Sequence, residues 1–182
     1  MNKFTLTQEE SALMIIDIQE RLVPAMPDNK KIIQNTNTII DIANSLKIPI
    51  IVTEQYPKGL GNTILDINEH LDIVSVFEKT TFSGYTDKAS NTLKQLGRKK
   101  IIITGMETHV CVFQTVRDLL ANDYMVFVVG DAVCSRTKEN YLNGLSLMSD
   151  MGAIITNTET VFFDIMKEAG TPLFKRLSKL IK

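Results

Sequence analysis

The feature that most constrains this chain is a repeated exchange between two kinds of apolar patterning. Short, largely β-branched runs occur at Ala12–Ile18 (ALMIIDI), Ile48–Thr53 (IPIIVT), Asp72–Phe77 (DIVSVF), Lys100–Thr104 (KIIIT), Tyr124–Val129 (YMVFVV) and Ala153–Thr156 (AIIT). Several are continuously apolar. Successive side chains of a strand point to opposite faces, so such a run must be covered on both sides. Between the runs lie stripes at helical spacing. Ile32, Thr36, Ile39, Ile40, Ala43 and Leu46 form one, with Asp28 placed as its N-cap. Val112, Phe113, Val116, Leu119 and Leu120 form a second, and Lys138–Met148, Thr160–Glu168 and Pro172–Ile181 supply three more. Strand and helix in alternation predict an α/β, doubly wound, Rossmann-like three-layer sandwich with a parallel sheet.

The 182 residues suit a single domain spanning 1–182, since no repeat, low-complexity stretch or linker divides them. Lys plus Arg number 20 against 21 Asp plus Glu, a net charge of −1. That balance offers no basic stripe for nucleic acid and no cationic surface for an anionic membrane. Two cysteines without a CxxC, and two histidines, His70 and His109, do not make a disulfide framework or a four-ligand zinc site. The first apolar run, Ala12–Ile16, is stopped by Asp17 and is too short for a signal peptide or a membrane span. The chain therefore reads as soluble and cytoplasmic. Gly59-Leu60-Gly61 lacks the third glycine of a dinucleotide fingerprint and no GxxxxGK occurs, so neither NAD nor ATP is expected. The longest irregular segment is Glu54–Asn68, punctuated by Pro57, Gly59 and Gly61, and a loop of that length inside a compact domain is usually functional.

In this fold class ligands sit at the carboxyl ends of the strands. The first run ends on Asp17, the third is followed by Lys79 in a polar cluster, and the fourth leads through Gly105–Val110 to Cys111 at the start of a helix. A cysteine nucleophile acts as thiolate, which a helix N-terminus or a nearby cation favours. Lys79 is suited to supply that cation and Asp17 to take the thiol proton. Singly, each residue has an ordinary reading: a loop-anchoring acid, a solvated lysine, a small buried hydrophobe. Their conjunction at three strand ends is the signal.

On these residues the chain resembles the isochorismatase-like cysteine hydrolases. The motifs are MIIDIQ at the first strand, FEKTTFS after the third, GMETHVCV before the fourth helix and VVGDAVCSR after the fifth strand. TEQYPKGLG is similar to the branch of isochorismatase-domain hydrolases. The resemblance implies a six-stranded parallel sheet of order 3-2-1-4-5-6 and a triad of Asp17, Lys79 and Cys111. It implies a cis peptide at Met106–Glu107, with the backbone N–H groups of Glu107 and Cys111 as the oxyanion hole. In the implied mechanism Asp17 takes the thiol proton, Lys79 stabilises the thiolate, sulfur attacks a carbonyl, and water clears the resulting thioester. Relatives are commonly oligomers, so a homo-oligomer is expected.

Departures from the family narrow the chemistry. Zinc-containing relatives carry an Asp-x-His pair where this chain has Glu54-Gln55-Tyr56, so no metal and no other cofactor is expected. Retaining Cys111 favours acyl transfer, most simply amide hydrolysis of a small molecule, over the vinyl-ether cleavage of isochorismatases proper. Gln19, Glu54, Gln55, Tyr56, Phe82 and Thr108 adjoin the triad motifs and are candidates to line the pocket. His109 is expected to face outward, Cys134 to be structural, and Asp131 and Arg136 to fix a loop or a subunit contact. The competing readings are a non-catalytic binding or assembly protein on the same fold, isochorismatase-type ether hydrolysis, and an oxidant-sensing thiol, which would need Cys134 as partner.

Overall fold

Six parallel strands form one sheet in the order β3-β2-β1-β4-β5-β6. The computed structural model describes residues 3–72 and 74–181. The strands are β1 (Ser11–Ile16), β2 (Ile50–Gln55), β3 (Val74–Lys79), β4 (Lys100–Met106), β5 (Met125–Cys134) and β6 (Ile154–Thr156). Helices α1 (Asn29–Ser45), α4 (Asp87–Leu96), α5 (Phe113–Leu120), α6 (Lys138–Asp150) and α7 (Thr158–Met166) carry the crossovers and the covering layers. Two one-turn helices, α2 (Pro57–Leu60) and α3 (Leu65–Asn68), follow β2, and α8 (Pro172–Leu177) comes last.

The continuous apolar runs have the cause expected of them. Leu13, Ile15, Val52, Ile102 and Phe127 pack on one side against Ile39 and Ile40 of α1 and Phe162 of α7. Ala12, Met14, Ile16, Ile51, Ile103 and Val128 pack on the other against Leu93 of α4, Val116 and Leu119 of α5 and Met148 of α6. Two apolar cores thus sandwich the sheet, as the alternation of faces requires.

The boundaries differ from the sequence pattern in ways that matter for the site. β1 stops at Ile16 because Asp17 turns to a φ of 52°, outside the extended region. β3 begins at Val74 and runs two residues past Phe77, held by the Glu54–Glu78 and Gln55–Lys79 register with β2, so Lys79 ends a strand rather than following one. Ile73, placed in that strand by the pattern, lies outside the described residues. β5 reaches Cys134 because its pairing with β4 jumps from Ile103–Val128 to Gly105–Val133 across a bulge. Helix α4 was not marked by the apolar pattern, since only Ala89, Ser90 and Leu93 of it are buried. Asp28 does stand before α1, but its side chain caps no backbone N–H. The supposed loop Glu54–Asn68 contains the end of β2, two helical turns and an antiparallel bridge between Gln19 and Thr63. The last helix ends at Leu177, short of Ile181.

Gly105 fixes how closely β1 and β4 approach. It has a φ of 122°, and a Cβ there would lie 2.0 Å from the Ile16 carbonyl oxygen. Only glycine fits between the end of β1 and the turn that carries the cysteine.

Candidate active site

The carboxyl ends of β1, β3 and β4 bring Asp17, Lys79 and Cys111 together. Asp17 Oδ2 accepts from Lys79 Nζ at 2.7 Å, with both side chains fully buried. Its other oxygen, Oδ1, accepts from Thr53 Oγ1 at 2.7 Å, and the carboxylate charge acts on the Cys111 thiol. Three elements therefore converge on one acid. The left-handed turn at Asp17 directs it there, and Asp tolerates that conformation better than most residues.

Lys79 spends its donors without reaching solvent. Besides Asp17, Nζ donates to Gln55 Oε1 at 2.7 Å and to the carbonyls of Thr81 and Phe82 at 3.2 and 3.1 Å. A buried ammonium needs such company, because desolvation without partners costs several kcal/mol. The polar cluster after β3 is the part of the chain that curls back to provide it.

Cys111 sits in a π-helical turn, Thr108–Val112, immediately before α5. The Glu107 carbonyl accepts from Val110 and Val112 N–H, and the Met106–Glu107 peptide is cis. The thiol is buried, and that burial above all pushes it up to about 12. The Asp17 and Glu107 charges push the same way, and the Lys79 cation only partly offsets them. Lys79 is already neutralised by Asp17, and the helix start does not outweigh desolvation. Burial and the neighbouring Asp17 carboxylate hold Cys111 toward the neutral thiol.

The residues proposed to line a pocket divide into two sets. Gln19 is buried and holds the segment after β2: Nε2 donates to the carbonyls of Gln55 and Gly61 at 3.0 and 2.6 Å, while Oε1 accepts from Gln55 N–H at 2.7 Å. Glu54 is also buried, with Oε1 accepting from Thr63 N–H and Oγ1 at 2.7 and 2.8 Å. Both tie down the loop rather than stand open. Thr108 is fully buried and its hydroxyl has no partner. Gln55 bridges to Lys79, and its Nε2 donates to the Thr80 carbonyl at 3.0 Å. Tyr56 and Phe82 are each 54% exposed, the two aromatic surfaces available beside the triad loops. Tyr56 also lines a cavity of about 530 Å³ together with Lys79, Thr80 and Thr81.

His109 pairs with Ser135, with Nδ1 and Oγ 3.0 Å apart, and is partly buried. Arg136 pairs with Glu107 Oε2 at 3.0 Å, bracing the residue after the cis peptide. Asp131 Oδ1 accepts from Thr158 N–H and Oγ1 at 2.8 and 2.9 Å and so fixes the start of α7. Cys134 is buried at the end of β5, its thiol pushed up to about 12 by burial, and lines a cavity of about 400 Å³ with Asp28, Lys31 and Tyr141. Both cysteines are free. Among the described residues no group of three or more His, Cys, Asp or Glu side chains is placed to hold a metal ion.

Two contributors escaped the sequence reading. Thr53 ends an apolar run in the sequence, yet its hydroxyl orients Asp17. Thr115 lay inside the stripe of α5, where a polar residue one turn past Cys111 on the buried side was the available signal.

The isochorismatase domain family matches residues 11–160. Isochorismatase family protein 1A of Dictyostelium discoideum is 41% identical over 181 residues, covering 96% of this chain and 87% of that protein. The secreted isochorismatase effector Isc1 of Phytophthora sojae is 38% identical over 182 residues, covering 97% of this chain and 87% of that one. Of solved structures, the MAR1 ribonuclease of Caenorhabditis elegans matches with a TM-score of 0.93 at 38% identity, covering 97% of this chain and 92% of that chain.

Proposed function

The chain belongs to the isochorismatase family, and from that premise we propose that it is a cysteine hydrolase acting on a small amide-like carbonyl compound. The observation that carries the reading is the buried Asp17–Lys79 pair, whose charges act on the buried Cys111 thiol. Because Cys111 rests protonated, proton transfer to Asp17 accompanies attack rather than preceding it. Sulfur adds to the carbonyl carbon as Asp17 takes the proton, and Lys79 holds the acid in place. The tetrahedral oxyanion lies toward the N–H groups of Glu107 and Cys111. Asp17 then returns the proton to the leaving amine as the C–N bond breaks. Water, deprotonated by Asp17, cleaves the thioester and restores the thiol.

The whole of residues 1–182 acts in this reading as one domain, with no metal or cofactor step. Exposed apolar side chains such as Tyr56, Val76, Phe82 and Phe163 support a homo-oligomer. Two free cysteines suit a reducing, cytoplasmic setting. No described helix is long and apolar enough to cross a membrane.

The test is turnover of a panel of small amides, ureas, esters and vinyl ethers by the wild type and by Cys111→Ala. RNA belongs in the panel because the nematode structure bears the name ribonuclease, although a net charge of −1 favours a small molecule over a polyanion. Amide turnover lost in Cys111→Ala is expected. Full turnover in that variant overturns the mechanism, and vinyl-ether cleavage that survives it moves the chemistry to acid catalysis by Asp17. The burial of the thiol favours one second reading, a non-catalytic binding protein, which silence across the panel would support.

A further inference from the structure

The cation and the thiol of the site stand on separate elements, and one hydroxyl joins them. Thr115 is fully buried on α5. Its Oγ1 donates to the Cys111 carbonyl at 2.6 Å and accepts from the Gly84 N–H at 2.7 Å. A helical threonine bonded to the carbonyl four residues back is ordinary. The second bond is not, because it leaves the helix for the loop after β3. That loop is the one whose Thr81 and Phe82 carbonyls take the Lys79 ammonium. Gly84 is buried there with no room to move: a Cβ on it would come within 3.0 Å of Met14, 3.1 Å of Thr53 and 3.2 Å of Thr115. Thr53 in turn orients Asp17. A bonded path therefore runs from Lys79 through the loop backbone to Gly84, Thr115 and the Cys111 carbonyl, closing beside the acid both groups share.

We infer that Thr115 is a positioning residue that holds the turn of Cys111 against the lysine loop, so that the thiol stays within reach of the Asp17 charge. The inference rests on the hydrolase reading and extends it to a residue that touches no substrate. Neither β4 nor α5 alone determines where Cys111 lies relative to a lysine on the other side of β1 and β2. The hydroxyl supplies that registration, using its one donor and one of its two acceptor lone pairs.

The test is a coupling experiment on the full-length protein. Cys111 alkylation by iodoacetamide is followed by peptide mass analysis across about pH 6 to 11, and the displacement of each variant's rate profile along the pH axis relative to the wild type is read. Asp17, Lys79 and Glu107 are the charges that act on this thiol. Asp17→Asn should displace the profile toward lower pH by about one unit or more while Thr115 is present. In Thr115→Val, close in shape but without the hydroxyl, that shift should fall below half. Thr115→Ser should restore it. Hydrogen exchange at the Gly84 amide should quicken about tenfold in Thr115→Val and return in Thr115→Ser. Thr115→Ala removes the same hydroxyl without crowding and gives the same reading should the valine variant fold poorly. An undiminished Asp17→Asn shift in Thr115→Val and Thr115→Ala, or a serine variant as impaired as they are, overturns the inference alone. No Asp17→Asn shift even with Thr115 present overturns the hydrolase reading, and the inference with it.

Discussion

Asp17 and Lys79 bury opposite charges against each other, and neither is tolerable alone. Lys79→Met leaves the Asp17 carboxylate buried without its cation, which should cost about 3–5 kcal/mol in urea unfolding. The double variant Asp17→Asn, Lys79→Met should recover most of that loss, because it removes the charge together with its partner. Failure of the double variant to recover would mean that the pair is not the source of the cost. The same acid has opposite effects on two properties of Cys111. Asp17 keeps the thiol protonated, so Asp17→Asn should speed alkylation at neutral pH while abolishing amide turnover, which needs the proton acceptor. Parallel changes in both rates would contradict the assignment of Asp17 as base. Asp17, Lys79 and Cys111 were legible as candidates because each lies at or shortly after the end of an apolar run, where the strands of this fold end. The protonation state of the thiol was not, since it depends on desolvation and on which neighbour has already claimed the lysine.

At the level of elements, the site depends on two close fits. Gly105→Ala would place a methyl 2.0 Å from the Ile16 carbonyl. We expect it to disrupt the β1–β4 pairing and yield little soluble protein, whereas Gly97→Ala, with nothing within 4 Å, should remain soluble and lose only the ease of its positive φ. Expression and circular dichroism of the two check this. Gln19 holds the segment Gln55–Gly61 through three hydrogen bonds, so Gln19→Ala should open that segment to proteolysis well before the sheet unfolds. Cleavage unchanged from the wild type would show that Glu54 and Thr63 suffice. The apolar pattern marked every strand of the sheet. It missed α4 because so little of that helix is buried, though the Thr86 hydroxyl, which accepts from Ala89 N–H, was an N-cap signal in plain view. It misplaced the ends of β1, β3 and β5 because a left-handed residue, an edge-strand register and a bulge are properties of pairing.

Across the whole molecule, two apolar cores share one sheet and bury both cysteines. Burial raises the Cys111 and Cys134 thiols to about 12 and also raises Tyr124 and Tyr141. A group whose folded pKa lies above its unfolded one binds its proton more tightly when folded. Its contribution is complete below the unfolded value and is lost as pH rises through the folded one. The thermal midpoint should therefore fall between about pH 9 and 12, and Cys134→Ala should flatten part of that fall. A midpoint constant across the window would mean that the thiols are not desolvated in the folded protein. The sequence by itself determined the layered α/β architecture and that Asp17, Lys79 and Cys111 stand near the ends of three strands. Continuous apolar runs must be covered on both faces, and polar residues ending such runs must emerge at one edge of the sheet. Only the tertiary structure decided that Gln19 and Glu54 brace a loop, that Cys111 rests as a thiol, and that Thr115 ties it to the lysine side. Hydrogen-bond partners distant in sequence and the loss of water around a group come into being only when the strands assemble, so no local pattern records them.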